Sequence, residues 1–327
     1  MTIRIFIQTD KFKGGPAVFR SRLISALNKF EDIEIVTDVQ KKFDIGLEFI
    51  RKTHKYSKPY ILRASSCYYL DKYKPWNNKP IAKAIKNSIY TIFQSKFAYK
   101  LCNRVLRLES RDLIKNGYDV IYNGVNLDYI NSIEASPDVE KGSFIACARW
   151  DPNKRFKSMI KGFLLANTKK HLYIIGDFGI ESRKDNMQNW KKKYEKKSKY
   201  IHILGKKSNK EVLSIMKACD YQIHLSFIDI CPNIVIEGLS CGLNVLCTNL
   251  GGTSELVGEN GVILNVDKFW KTKYLKKRIG DLDNLKSQVV AKGIDRLLKI
   301  KTRPDVSKFN IDKTAKEYFS VIKKVVK

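Results

Sequence analysis

Leu225 to Glu255 reads LSFIDICPNIVIEGLSCGLNVLCTNLGGTSE. The run Tyr221–Leu225 before the loop predicts a strand, and Asn233–Cys241 predicts a helix opening at Pro232, a residue suited to the first helical position. Gly242 ends that helix, Asn244–Cys247 is the next strand, and Gly251-Gly252 opens a loop. Asp229 then stands on the loop after a strand, and Glu237 stands eight residues on, inside the helix. A helix start beside Asp229 points its free amides at whatever lies there. Ile230, Cys231 and Asn233 border that start, and Cys231 and Asn233 keep the backbone donor that Pro232 lacks. Glu237 can reach the same ligand from the helix side, a placement suited to accepting hydrogen bonds from a diol. Gly251 and Gly252 carry no Cβ, so their backbone can approach a phosphate. Each piece alone has a plain reading: two acids eight apart are common, and Gly-Gly is usually a turn. Their order gives them weight.

Outward from this stretch the same alternation continues. Strands are expected at Ser143–Ala148, Leu172–Ile175 and Ile201–Leu204, with helices at Phe156–Asn167, Asn186–Lys196 and Asn209–Ala218. Before it, Thr2–Gln8, Ile33–Val36, Tyr60–Leu62, Tyr90–Phe93 and Asp119–Tyr122 read as strands and Ala17–Lys29 as a helix. These patterns predict an α/β chain of two Rossmann-like, doubly wound halves that face each other across a cleft, where strand C-terminal ends bind ligands. The expected domains are residues 1–140, 141–305 and a final helix in 306–327 that packs back on the N-terminal half. That helix carries Ala315, Phe319, Ile322 and Val326 at helical spacing and must bury them.

The 327 residues are 43% hydrophobic and 29% charged, a globular composition that excludes wholesale disorder. No apolar run nears the roughly 18–20 residues that cross a bilayer, and Ile3–Ile7, broken by Arg4 and followed by Asp10, does not read as a signal peptide. Seven cysteines without a C-x-x-C pair read as reduced thiols, which points to a cytoplasmic protein. The net charge of +29 is built from 48 Lys and only 14 Arg, with +20 of it after residue 140. Lysine without arginine's bidentate fork argues against tight reading of a phosphate backbone. A solvated face is one reading of stretches such as Lys191-Lys192-Lys193 and Lys276-Lys277-Arg278. Peripheral attraction to an anionic membrane surface is the other.

Taken together, these residues resemble the signature of retaining glycosyltransferase family 4, of the GT-B fold, in which an acid, seven residues and a second acid precede a small-residue helix end and a Gly-Gly loop. Ala148-Arg149-Trp150-Asp151-Pro152-Asn153-Lys154 is similar to the family segment whose Arg and Lys contact the donor diphosphate. Ile175-Gly176-Asp177 resembles its strand-end glycine motif, Ile121 to Asn126 its interdomain junction, and Gly14-Gly15-Pro16 its acceptor-side glycine loop. The resemblance implies a metal-independent transferase that moves a sugar, with retention, from a nucleotide diphosphate sugar to a hydroxyl acceptor. Arg149 and Lys154 would hold the diphosphate, Glu237 the ribose diol, and Asp229 the donor sugar. Cys231, Asn233, Ile230, Gly176, Gly251 and Gly252 would line the donor side, and Gly14, Gly15 and Arg63 the acceptor side. No cofactor is implied.

The chain departs from the family pattern in three places. Asp229 stands where Glu is more frequent, and Pro232 where Gly is. Arg63 is followed two residues later by Ser65 instead of Asp. The one Asp-x-Asp, Asp281-Leu282-Asp283, reads as a helix cap, not a metal site. Rival readings are a GT-B epimerase or phosphorylase, and a basic nucleic-acid-binding protein without enzymatic activity.

Overall fold

The computed structural model describes residues 2–9, 14–69, 75–114, 117–177, 187–266 and 285–326. The chain divides into two compact units. The first holds the described residues up to Asn126 together with residues 307–326; the second holds the described residues between 127 and 306.

In the first unit the order is β1 (Ile3–Ile7), α1 (Gly15–Leu27), β2 (Ile33–Val36), β3 (Ile45–Phe49), β4 (Tyr60–Ala64), α2 (Lys79–Asn87), β5 (Tyr90–Phe93), α3 (Lys96–Leu106) and β6 (Tyr118–Val120). The strands form one parallel sheet ordered β2-β1-β3-β4-β5-β6. Chain order reverses between β1 and β3, which makes their C-terminal ends the topological switch point. Strands β3, β4 and β5 are buried along their whole length, as parallel strands covered on both faces must be.

The second unit continues with α4 (Leu127–Ser132), β7 (Ser143–Cys147), α5 (Phe156–Ala166), β8 (Leu172–Ile175), α6 (Met187–Glu195), β9 (Ile201–Gly205), α7 (Asn209–Ala218) and β10 (Cys219–His224). Then follow α8 (Asn233–Ser240), β11 (Asn244–Thr248), α9 (Thr253–Val257), β12 (Gly261–Leu264) and α10 (Ser287–Leu297). Its parallel sheet is ordered β12-β11-β10-β7-β8-β9, so the switch point lies between β7 and β10. Phe144, Phe156, Met159, Ile174, Leu246 and Ile294 belong to its core. Helix α7 opens on a complete capping box, with Ser208 and Glu211 bonding each other's backbone amides.

The last helix, α11 (Ile311–Val326), belongs to the first unit, as its spacing predicts. Tyr318 packs 6.2 Å from Phe19 of α1, Phe319 lies 4.6 Å from Phe30, and Lys29 Nζ pairs with Asp312 at 2.6 Å. Ile311, Ala315, Tyr318, Val321 and Ile322 thereby join the core of β1, β3 and β4.

Two expectations shift. The units part at Asn126/Leu127, fourteen residues before the expected boundary after residue 140, because α4 and the loop after it are tied to the second unit: Lys217 Nζ donates to Asn131 O (3.0 Å) and Ser214 Oγ to Glu134 O (2.8 Å). Strands β3 and β12 were not expected. The pairs Asp281/Asp283 and the run Lys276-Lys277-Arg278 lie outside the described residues.

Candidate donor site in the second unit

The switch point of the second sheet gathers the loop after β7 and the loop after β10. A short 3-10 turn, Pro152–Lys154, follows β7. The amide of Phe227, in the other loop, donates to Asn153 O at 2.7 Å and so fastens the two together. Arg155 ends the turn in the left-handed region (φ 56°), sparsely used by residues with a Cβ. Its guanidinium is buried with its centre 5.0 Å from the Phe227 ring.

This joint brings Lys154 and Asp229, 75 residues apart in sequence, into an ion pair: Nζ lies 2.7 Å from Oδ2. Lys154 Nζ is also 3.2 Å from Ser226 Oγ. His224, the last residue of β10 and buried, places Nε2 3.3 Å from the same Oδ2 and 3.0 Å from Ser226 Oγ. Burial pushes the Asp229 carboxyl upward, but Lys154 and His224 outweigh it and hold its pKa well below the ordinary carboxylate range. Burial also holds His224 below the usual imidazole value, against the pull of Asp229. The group therefore combines one carboxylate, one ammonium and one neutral ring at neutral pH.

The Gly-Gly loop serves Asp229 itself. Gly252 N donates to Asp229 O at 2.8 Å, and Gly251 has φ +117°, with a Cβ there falling 2.5 Å from the same carbonyl. Glycine is required by this approach of backbone to backbone. Gly176 is a parallel case at the end of β8: a Cβ on it would lie 1.7 Å from Ala148 O, against the loop that carries Arg149.

Helix α8 begins at Asn233, with Pro232 as its N-cap and not its first helical residue. Pro232 has extended backbone angles, and its carbonyl accepts from Val235 and Ile236. Cys231 is buried; Ile230 and Asn233 are half-buried at this helix start. Glu237, one turn in, is buried and accepts from Asn209 Nδ2 of α7 at 3.4 Å. It stands close enough to β7 that its charge, after burial, helps push the Cys147 thiol up to about 12. Cys147, Ala148, Trp150, Lys154, His224 and Ser226 line a recess at this switch point.

Arg149 stands outside the ion-pair group. Its side chain is 75% exposed and turns to Asp151, with Nη2 2.8 Å from Oδ2. The sequence reading passed over His224, Ser226 and Arg155. The signal for His224 and Ser226 was the alternation Asp220, Gln222, His224, Ser226 through β10 and into the loop after it: buried polar residues in such a run need partners.

In the first unit Gly14 (φ +71°) is the N-cap of α1 and Gly15 its first residue. Arg63, on β4, is 1% exposed. Nη1 donates to Ser65 Oγ (2.9 Å), Nη2 to Gln94 Oε1 (2.6 Å) and to Asn123 Oδ1, and the guanidinium carbon lies 4.4 Å from the Phe19 ring centre. Ser65 thus occupies the place of an acid and gives the arginine a neutral partner. Among the described residues, no group of three or more His, Cys, Asp or Glu is arranged to hold a metal ion.

The family model described as glycosyl transferases group 1 matches residues 131–301. The chain belongs to this family. It is 26% identical over 211 residues to an uncharacterized glycosyltransferase, MJ1178, of Methanocaldococcus jannaschii, an alignment covering 62% of this chain and 56% of that protein. It is also 26% identical over 153 residues to the N-acetylgalactosamine-N,N'-diacetylbacillosaminyl-diphospho-undecaprenol 4-alpha-N-acetylgalactosaminyltransferase of Campylobacter jejuni, covering 46% and 40%. The chain spans about half the length of the curated relatives it matches. Among solved structures, Anabaena Alr3699/HepE in complex with UDP-glucose superposes with a TM-score of 0.61 at 13% identity, over 99% of this chain and 100% of that one. The fold is GT-B.

Proposed function

We propose that this group 1 family member transfers a sugar, with retention, from a nucleotide diphosphate sugar to a hydroxyl acceptor, and that it does so without a metal ion. The observation that carries the proposal is the Lys154–Asp229 pair at the β7/β10 switch point, whose lysine lines a recess together with His224 and Ser226. A half-buried ammonium with three donors suits a diphosphate whose charge grows as it leaves, because fixed cations held away from bulk water stabilise developing anions. Arg149, exposed in its pairing with Asp151, is the second cation assigned to that phosphate. Glu237 is assigned to the ribose diol and Asp229 to a hydroxyl of the donor sugar. Asp229 Oδ1 makes no hydrogen bond among the described residues and is the atom for that contact.

In the reaction the bond from the anomeric carbon to the leaving phosphate breaks while its bond to the acceptor oxygen forms on the same face. The acceptor proton passes to the departing diphosphate, so no protein base is needed. That a HepE structure carries UDP-glucose, and that the Campylobacter jejuni relative is named for a lipid diphosphate acceptor, supports a nucleotide-sugar donor and leaves a lipid-linked acceptor open to test. Exposed Lys191, Lys192, Lys193, Lys196 and Lys197, on and after α6, are proposed to add a weak attraction to anionic membrane surfaces.

A panel of nucleotide sugars, incubated with the full chain with and without excess chelator, tests this. Transfer or donor hydrolysis that survives the chelator and gives a product of unchanged anomeric configuration agrees. Activity lost to the chelator and restored by manganese, or an inverted product, contradicts it. Vesicles of anionic and neutral lipid separate the membrane component, since equal pelleting with both removes it.

A further inference from the structure

We propose that His224 is a positioning residue that holds Asp229 in place while Lys154 is shared with the donor diphosphate; this rests on the donor-site reading above. Asp229 Oδ2 has two partners of different character. One is the Lys154 ammonium at 2.7 Å, at the end of a flexible four-carbon stem; the other is His224 Nε2 at 3.3 Å, on the last residue of a buried strand. Lys154 also reaches Ser226 Oγ, so it already divides its donors among several acceptors. A diphosphate arriving beside it offers far stronger acceptors, and the ammonium must turn part of its charge toward them.

Without a second partner, Asp229 would then be a half-buried carboxylate losing its counter-charge, a costly state that it would relieve by rotating away. His224 prevents this. Its ring is 5% exposed and cannot swing out, and as the Nε2–H tautomer it would donate to Oδ2, 3.3 Å away, with Ser226 Oγ at 3.0 Å beside the same nitrogen, without adding a second positive charge next to Lys154. The backbone of Asp229 is held independently through Gly252. Backbone, Oδ2 and ring together leave Oδ1 pointing in one direction, which is what orienting a sugar hydroxyl demands.

The test uses His224→Leu, which removes the donor, and His224→Gln, whose amide restores an N–H at similar reach. With the full chain and the nucleotide sugar that wild type turns over, His224→Leu is expected to lower kcat about tenfold or more while Kd for the nucleoside diphosphate stays within about twofold, and His224→Gln is expected to recover most of the loss. A second readout is independent of turnover: nitrogen-15 spectra of the histidine ring near neutral pH. They should show the Nε2–H tautomer for His224, with its resonance displaced in Asp229→Asn. Wild-type turnover in His224→Leu, equal loss in both variants, or an Nδ1–H tautomer would overturn the proposal. Wild type that transfers from no nucleotide sugar would instead refute the donor-site reading, and the spectra alone would then decide the pairing.

Discussion

Two carboxyls, one half-buried and one fully buried, stand at the two switch points and are driven in opposite directions. Asp229, beside the end of β10, sits between Lys154 and His224 and is held ionised. Glu48, near the end of β3, is fully buried and takes a hydrogen bond from Tyr56 OH at 2.7 Å, yet burial outweighs that bond and raises its pKa. Its cross-strand neighbour is Gln8, just past Ile7, which pairs in register with Leu47. The difference teaches what each end of the molecule is built for. Unit two keeps a compensated charge next to a recess, where a ligand can redistribute it; unit one closes its carboxyl under Tyr56 and aromatic rings. Carboxyls pushed apart in this way take different roles.

The largest expected effect is at Asp229. Asp229→Asn keeps the shape and removes the charge, so turnover should fall about 10²–10³-fold if its carboxylate orients the sugar in the transition state. Calorimetric titration with the nucleoside diphosphate should change little. A variant with wild-type turnover would put Asp229 on the same footing as Glu48, as a structural acid.

Next in size is Arg63, the buried charge of the first unit. Arg63→Met strands the oxygens of Ser65, Gln94 and Asn123 and should cost about 2 kcal/mol of stability, read as a lower melting temperature, with donor binding untouched. Arg63→Lys should rescue little, because one ammonium does not reproduce a planar fork packed on Phe19. Loss of diphosphate affinity in Arg63→Met would blur the division between the two units.

The smallest effect is a pH slope. The folded-state pKa of Glu48 is raised, so its burial is least costly below the unfolded value near 4.3 and becomes a burden as pH rises toward the folded value. Glu48→Gln should therefore gain stability relative to wild type as pH rises through that window, by at most about 1.4 kcal/mol per pH unit. Asp229 has the opposite sign: its pairing is intact above the unfolded value near 3.9 and is lost only in stronger acid. Thermal melts between about pH 2 and 8 read both, Glu48 above about pH 4 and Asp229 below it, and parallel slopes for wild type and Glu48→Gln would contradict the contrast.

Much of this was legible in residues. The acid, helix and Gly-Gly order from Leu225 to Glu255 placed Asp229 and Glu237 correctly on β10's loop and on α8, since strand, turn and helix signals there agree. Strand β3 was missed because Gly46 and Glu48 interrupt its apolar run; only the fold shows Glu48 buried against Tyr56. The boundary was set near residue 140 because the strand–helix alternation restarts at Ser143, while the bonds from Lys217 and Ser214 that bind residues 131–134 to unit two span about eighty residues of sequence. His224 was overlooked because the polar alternation through it asks for a partner without naming one, and only the fold shows Asp229, five residues on, turned back onto it. The fold adds a reason for Gly251 that the sequence did not show, its close approach to the backbone of Asp229.

The nucleotide site is proposed to lie in the second unit, with Glu237 on the ribose. Calorimetric titration of wild type and Glu237→Gln with UDP and with UDP-glucose tests it most directly. Glu237→Gln should weaken both ligands by about 1.5–3 kcal/mol, the range for hydrogen bonds to a charged acceptor, with the melting temperature near that of wild type. Equal UDP affinity in wild type and Glu237→Gln would contradict it.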